Sequence, residues 1–269
     1  MVLCSVATVW SIQADLTPAE VFPGDAFMIK VTGVASPGTL RVAADTLKIP
    51  MSSCGEGCFT GIGVIHLDSA PGDKKISVTD GQIKSMFNLR VKKPHFPEIH
   101  LTLPENKVAL SPEDLVRVKD EEKRLGSLWP NVSGKLYDGT FMMPVPNRVS
   151  TGFGVKRIIN KKTVSVHRGI DLKGSMGEKV MAANRGKVVV TEELFFGGNT
   201  LVIDHGAGIY TIYMHLSSFA VAPGVIVEKG EVIGFVGSTG RSTGPHLHLS
   251  LKILNITANP LSLMHLSVK

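Results

Sequence analysis

The stretch TGRSTGPHLHLSL, residues 239 to 251, sets two histidines one residue apart on a segment that reads as a strand. Strand side chains alternate faces, so His246 and His248 point the same way. Neutral imidazoles converging on one point are the beginning of a metal site. A second candidate lies in VSVHRGIDLKG, with His167 and Asp171. On a straight strand four residues would separate these two by about 13 Å, too far for one ion. The backbone must bend between them, and Gly169 is where it can. His, Asp and His would leave one position of a tetrahedral zinc ion open for water, as in catalytic sites. His215, in TIYMHLSS, is a further imidazole at the end of another apolar strand. Taken singly, each motif also reads as a surface pair or a packed histidine. Their joint presence in one glycine-rich region favours a site.

The elements that must position these groups are β-strands. From Leu136 onward, KVVVTEEL, NTLVIDHG, GIYTIYMHL, GVIVEKGEVIGFVGS and HLHLSLKIL follow in close succession, with no helical period of useful length between them. They predict an antiparallel sheet over residues 136–269. Residues 15–93 read as short strands between turns at PG and PGD, and predict an immunoglobulin-like β-sandwich. His66 there reads as a packed or surface histidine within a strand. Residues 94–135 form a connection. Its first part is proline-rich and extended. Its second is a helix with Ser111 as N-cap, Pro112 at N1 and Gly126 at its close. The expected fold class is therefore all-β, with a short helical linker.

Composition narrows the function classes. The chain has 269 residues and is 43% hydrophobic, enough for two cored domains. Residues 1–135 hold 15 Lys+Arg and 15 Asp+Glu, whereas residues 136–269 hold 14 and 8. All of the net charge of +6 thus sits with the histidines and suggests an acidic partner. No nucleic-acid motif or aromatic-basic interleaving is present, so nucleic acid is not that partner. A lipoyl- or biotinyl-type carrier would need a lysine at a tight hairpin, which VEKGEVIGFVGS lacks. The apolar run through residues 1–14 is too short to span a bilayer. It reads as a secretory signal or membrane tether, with Ile12 and Ala14 at cleavage positions −3 and −1, or else as an ordinary first strand. Leu3 before Cys4 argues against lipidation. Cys54 and Cys58 flank a glycine-rich turn and suit a hairpin disulfide, which export would permit.

Residues from about 140 to 265 resemble the lysostaphin-type (LytM-like) zinc metallopeptidases that cleave peptidoglycan peptides. HRGID, GNTLVIDHGAGIYTIYMHLSS, VEKGEVIGFVGSTGRSTGPHLHLSL and NPLSL carry the resemblance, in the family's order. The β-domain and TLPENKVALSPEDL also resemble the N-terminal part of exported members. The resemblance implies zinc held by His167, Asp171 and His248. It implies His246 as general base or acid, and His215 as its assistant and oxyanion stabiliser. Tyr213 and Arg157 are expected to line the substrate groove, and His205 to sit in a hairpin turn. The implied function is an exported zinc endopeptidase of bacterial peptidoglycan, in the periplasm, envelope or outside the cell. The alternative is a non-catalytic wall-binding or hydrolase-activating module of the same fold. One position departs from the family: Ser250 stands where many members carry Glu.

Overall fold

The alternation in AFMIKVT decides how the two halves of the chain meet. In the computed structural model, which describes residues 11–34, 37–102, 110–161 and 163–267, this segment is the strand Ala26–Thr32. Phe27, Ile29 and Val31 turn to one face and share a core with Ile76, Val78 and Leu89. Ala26 and Met28 turn to the other face and join the core of the C-terminal half with Ile62 and Val64. The strand Cys58–Val64 pairs with it along its full length. Gly63 is glycine for a steric reason, since a Cβ there would lie 2.5 Å from the Phe27 ring.

Two mainly antiparallel layers enclose the first core, the parallel exception being Glu20–Val21 beside Lys84–Val91. One runs Gln13–Thr17, Ala26–Thr32, Cys58–Val64, Ser52–Gly55. The other is five-stranded and centres on Gly72–Thr79 and Lys84–Val91. Cys54 and Cys58 form the hairpin disulfide. Ile12 is buried in this core and Gln13 begins the first strand. The end of the apolar run thus packs with the sandwich, and Ala14 pairs with Val31. The rest of the apolar run, with Cys4, lies outside the described residues. His66 is exposed, just past the strand that ends at Val64.

The connection is more structured than its proline content suggests. Glu98–Leu101 adds as a parallel strand to Lys156–Ile159. The helix Pro112–Gly126 is capped by Ser111, whose side chain accepts from Asp114 N. Gly126 is its last residue and Ser127 its C-cap. Buried Glu121 accepts from Phe195 N–H at 2.9 Å and Arg117 Nε at 2.8 Å, which pins the helix to the C-terminal sheet. Among the described residues no helix is long and apolar enough to cross a membrane.

Beside the small sheet of Glu98–Leu101, Lys156–Ile159 and Thr163–Val166, most of the C-terminal half is one large antiparallel sheet. Its central run is Val149–Thr151, Ile170–Lys173, His246–Ile253, Ile209–Phe219, Gly198–Asp204, Gly186–Leu194. Leu247, Leu249, Leu251 and Ile253 are all buried on one face, as the period of two requires. A short helix, Pro260–Met264, was not foreseen. It ties the halves together: Ser262 Oγ accepts from Ala26 N–H at 2.8 Å, and Asn259 Nδ2 donates to Asp25 Oδ1 at 2.9 Å.

Candidate metal centre

Asp171 and His248 sit directly opposite one another on adjacent antiparallel strands. Cross-strand partners share a face, so the register alone brings this carboxylate and imidazole together. His167 lies just before the strand Ile170–Lys173, separated from it by a break in the strand pattern that bends at Gly169. Gly169 lies within that bend, but its glycine identity is set by packing. A Cβ at Gly169 would lie 2.5 Å from Leu249 O and 2.6 Å from His248 Nε2.

Three atoms converge. His167 Nε2 is 3.0 Å from Asp171 Oδ1 and 3.1 Å from His248 Nδ1, and His248 Nδ1 is 2.7 Å from Asp171 Oδ1. The outward nitrogens are already committed. His167 Nδ1 lies 2.8 Å from Gly152 O, a pure acceptor, so Nδ1 carries a proton and donates it. Ser250 Oγ lies 3.1 Å from Arg168 O, to which it donates, and 2.9 Å from His248 Nε2, from which it accepts. Neutral rings held this way turn their lone pairs inward beside a carboxylate. Lone pairs this close repel unless a cation or a shared proton lies between them. A tetrahedral zinc ion, with bonds of about 2.0–2.2 Å, would need them only a few tenths of an ångström further apart. The donor set fits zinc.

The electrostatics agree. Burial pushes the Asp171 carboxyl up, but where protons rather than an ion lie between the groups, hydrogen bonds and charge from protonated His167 and His248 outweigh it and hold the group well below the carboxylate range, so this carboxylate calls for a cation, proton or metal, at its side. Burial pushes the His248 imidazole down, against the pull of Asp171.

Two more imidazoles face this cluster. His246 Nε2 is 3.8 Å from Asp171 Oδ1, and its Nδ1 donates to Gly244 O at 2.8 Å. His215 Nδ1 donates to Thr239 O at 2.9 Å, and its ring centroid is 4.8 Å from that of His246. Burial pushes the His215 imidazole down to about 4. His215 reaches this face through a bulge. Leu201 pairs with Tyr213 and Asn199 with Leu216, so one strand spends an extra residue, and His215 takes φ of 64°.

The bulge also corrects one expectation. Tyr213 was expected in the groove with His215, two residues away. It is fully buried on the core face, opposite Leu249, and its hydroxyl accepts from Ala183 N–H at 2.9 Å. Arg157 does reach the site, with Nη2 3.3 Å from Asp171 Oδ2. His205 is not a simple turn residue. It is fully buried, its Nδ1 donates to Arg185 O at 2.9 Å, and its Nε2 lies 2.7 Å from the Thr211 hydroxyl. Lys173 was missed. It lines a groove of about 450 Å³ with His246, Asp171 and Ser150. Its place two residues after Asp171 on one strand was the signal.

Residues 165–260 match the sequence pattern of Peptidase family M23. The chain is 43% identical over 118 residues to "DD-carboxypeptidase/endopeptidase Mpg" of Neisseria meningitidis, covering 44% of this chain and 27% of that protein. It is 41% identical over 105 residues to "Peptidoglycan DD-endopeptidase ShyA" of Vibrio cholerae, covering 39% of this chain and 24% of that protein. The matches thus span about a quarter of the length of these relatives. A crystal structure from Pseudomonas aeruginosa described as peptidase M23 superposes with a TM-score of 0.68 at 25% identity, over 90% of this chain and 94% of that one.

Proposed function

Because residues 165–260 form a domain of peptidase family M23, we propose that the chain is an exported zinc-dependent endopeptidase that hydrolyses peptide cross-links of bacterial peptidoglycan. The observation that carries the reading is the convergence of His167 Nε2, Asp171 Oδ1 and His248 Nδ1, with both rings' other nitrogens already engaged. The two relatives' names favour peptidoglycan peptides as substrate. The Cys54–Cys58 disulfide favours an oxidising compartment, hence the periplasm, envelope or exterior. On this reading residues 1–14 hold the export or tether segment, whose last residues, Ile12 to Ala14, also enter the sandwich; 15–93 are the sandwich, 94–135 the connection and 136–269 the peptidase unit.

His167, Asp171 and His248 would hold the zinc. Bound there, zinc supplies Lewis acidity, lowering the pKa of a water toward about 7 and polarising the scissile carbonyl. The remaining chemistry belongs to His246 and His215. Each donates through Nδ1 to a backbone carbonyl, so each neutral ring offers a lone pair at Nε2. His246 takes the proton of the attacking water and returns it to the leaving amine. His215 is a donor to the developing oxyanion only once it carries a proton itself. With the rings 4.8 Å apart, a proton on His246 disfavours a second on His215. The pair therefore holds the one proton taken from the water, and His215 donates to the oxyanion when that proton rests on its ring.

Digestion of purified peptidoglycan by the zinc-loaded protein, with fragments identified by mass, tests the reading. Release of peptide-cleaved fragments that stops on chelation and returns with zinc is the expected result. Intact cross-links with zinc bound would point instead to the wall-binding or activating module.

A further inference from the structure

Apart from Asp171, the charged side chains in and beside the groove are cationic. Lys173 lines it opposite His246 in the strand register, and its side chain is exposed. Arg157 stands at Asp171 Oδ2 with about a third of its side chain, 32%, open to solvent. Arg241 lies on the loop that carries Thr243 to His246, its guanidinium 4.3 Å from the centroid of the Phe196 ring. The one carboxylate among the groove residues is Asp171, turned to the histidines. No ion pair is formed by Lys173 or Arg241 among the described residues.

We propose that Lys173 and Arg157 form a carboxylate-binding subsite, so that this groove selects peptides bearing a free carboxylate next to the scissile bond. The proposal rests on the peptidase reading above and names its substrate class. A guanidinium offers five N–H donors in a fixed fork, and one contact to Asp171 leaves donors for a second carboxylate. Lys173 adds a mobile point charge across the cluster. Arg241 extends the same field. It is near enough to Arg157 that, after burial, the Arg157 charge is a cause of its lowered pKa. Asp171 engages only one contact of Arg157, and Lys173 and Arg241 form no ion pair among the described residues, so the net field favours an incoming anion.

The test uses two synthetic cross-linked peptides, identical except that the carboxylates flanking the scissile bond are free in one and carboxamides in the other. Turnover is measured with the zinc-loaded full chain. Binding is measured by calorimetry on uncleavable versions of both. The free acid should be favoured on the order of 10- to 100-fold in kcat/KM and in affinity, the range expected for a hydrogen-bonded charge pair. Lys173→Gln should shrink that ratio, mainly through KM, and Arg157→Gln should shrink it through KM and kcat together. Lys173→Arg should restore it in part. Equal affinity for the two peptides overturns the subsite even where both are cleaved, and leaves the peptidase reading standing. Selective binding of the acid without hydrolysis of either peptide supports the subsite and removes the peptidase reading.

Discussion

Ser250 Oγ sits 2.9 Å from His248 Nε2 and 3.1 Å from the carbonyl of Arg168, the residue after His167. One hydroxyl thus links the two histidine-bearing segments and fixes which nitrogen of His248 faces the cluster. Where many family members place Glu, this chain orients the ring with a neutral group. Ser250→Ala should leave the fold intact but lower zinc affinity or activity by about 10- to 100-fold, the usual cost of losing a group that orients a metal ligand. Metal titration of the variant against the parent checks this. Unchanged affinity and activity would show that the hydroxyl is dispensable.

His246 and His248 share a strand face but should separate by function. His248→Ala should lose zinc. His246→Ala and His215→Ala should keep it and lose about 10²- to 10⁴-fold in turnover, with little change in substrate binding. Metal analysis beside kinetics on the three variants reads both. Zinc retained without His248 and lost without His246 would reverse the assignment.

Gly169→Ala should damage the site without replacing a ligand. The added Cβ meets backbone at Leu249 O and the His248 ring together, and the backbone has little room to give. A loss of about 1–3 kcal/mol in stability is expected, with weakened zinc binding. Denaturation midpoints and metal content would reveal it, and a variant matching the parent in both would disprove the close approach.

His205 should make stability pH-dependent. Burial pushes its imidazole down to about 4 in the folded chain, against about 6.5 when unfolded. The unfolded state therefore binds more protons between these values. Its contribution is fully present above the unfolded pKa and is lost as pH falls through the folded one. Between about pH 7 and pH 5 the loss is about 2 kcal/mol. Urea midpoints at the two pH values should fall accordingly in the parent and much less in His205→Gln. An equal fall in both would assign the pH dependence to other groups, with buried His215 the first candidate.

The sequence by itself determined most of the strands, the placing of His246 and His248 on one face, the need for a bend before Asp171, and the hairpin disulfide. Those follow from local rules: a period of two, glycine's freedom, and turn residues between apolar runs. What only the tertiary structure decided is non-local. The cross-strand register sets Asp171 against His248. The bulge before Leu216 sends His215 to the site and leaves Tyr213 in the core, a change of face that alternation does not anticipate. The burial of His205 depends on packing between strands and loops far apart in the chain. So does the double use of Ala26–Thr32, whose two faces serve two cores. Each of these turns on which segment lies beside which, and residue type and spacing along one segment carry no record of that neighbour.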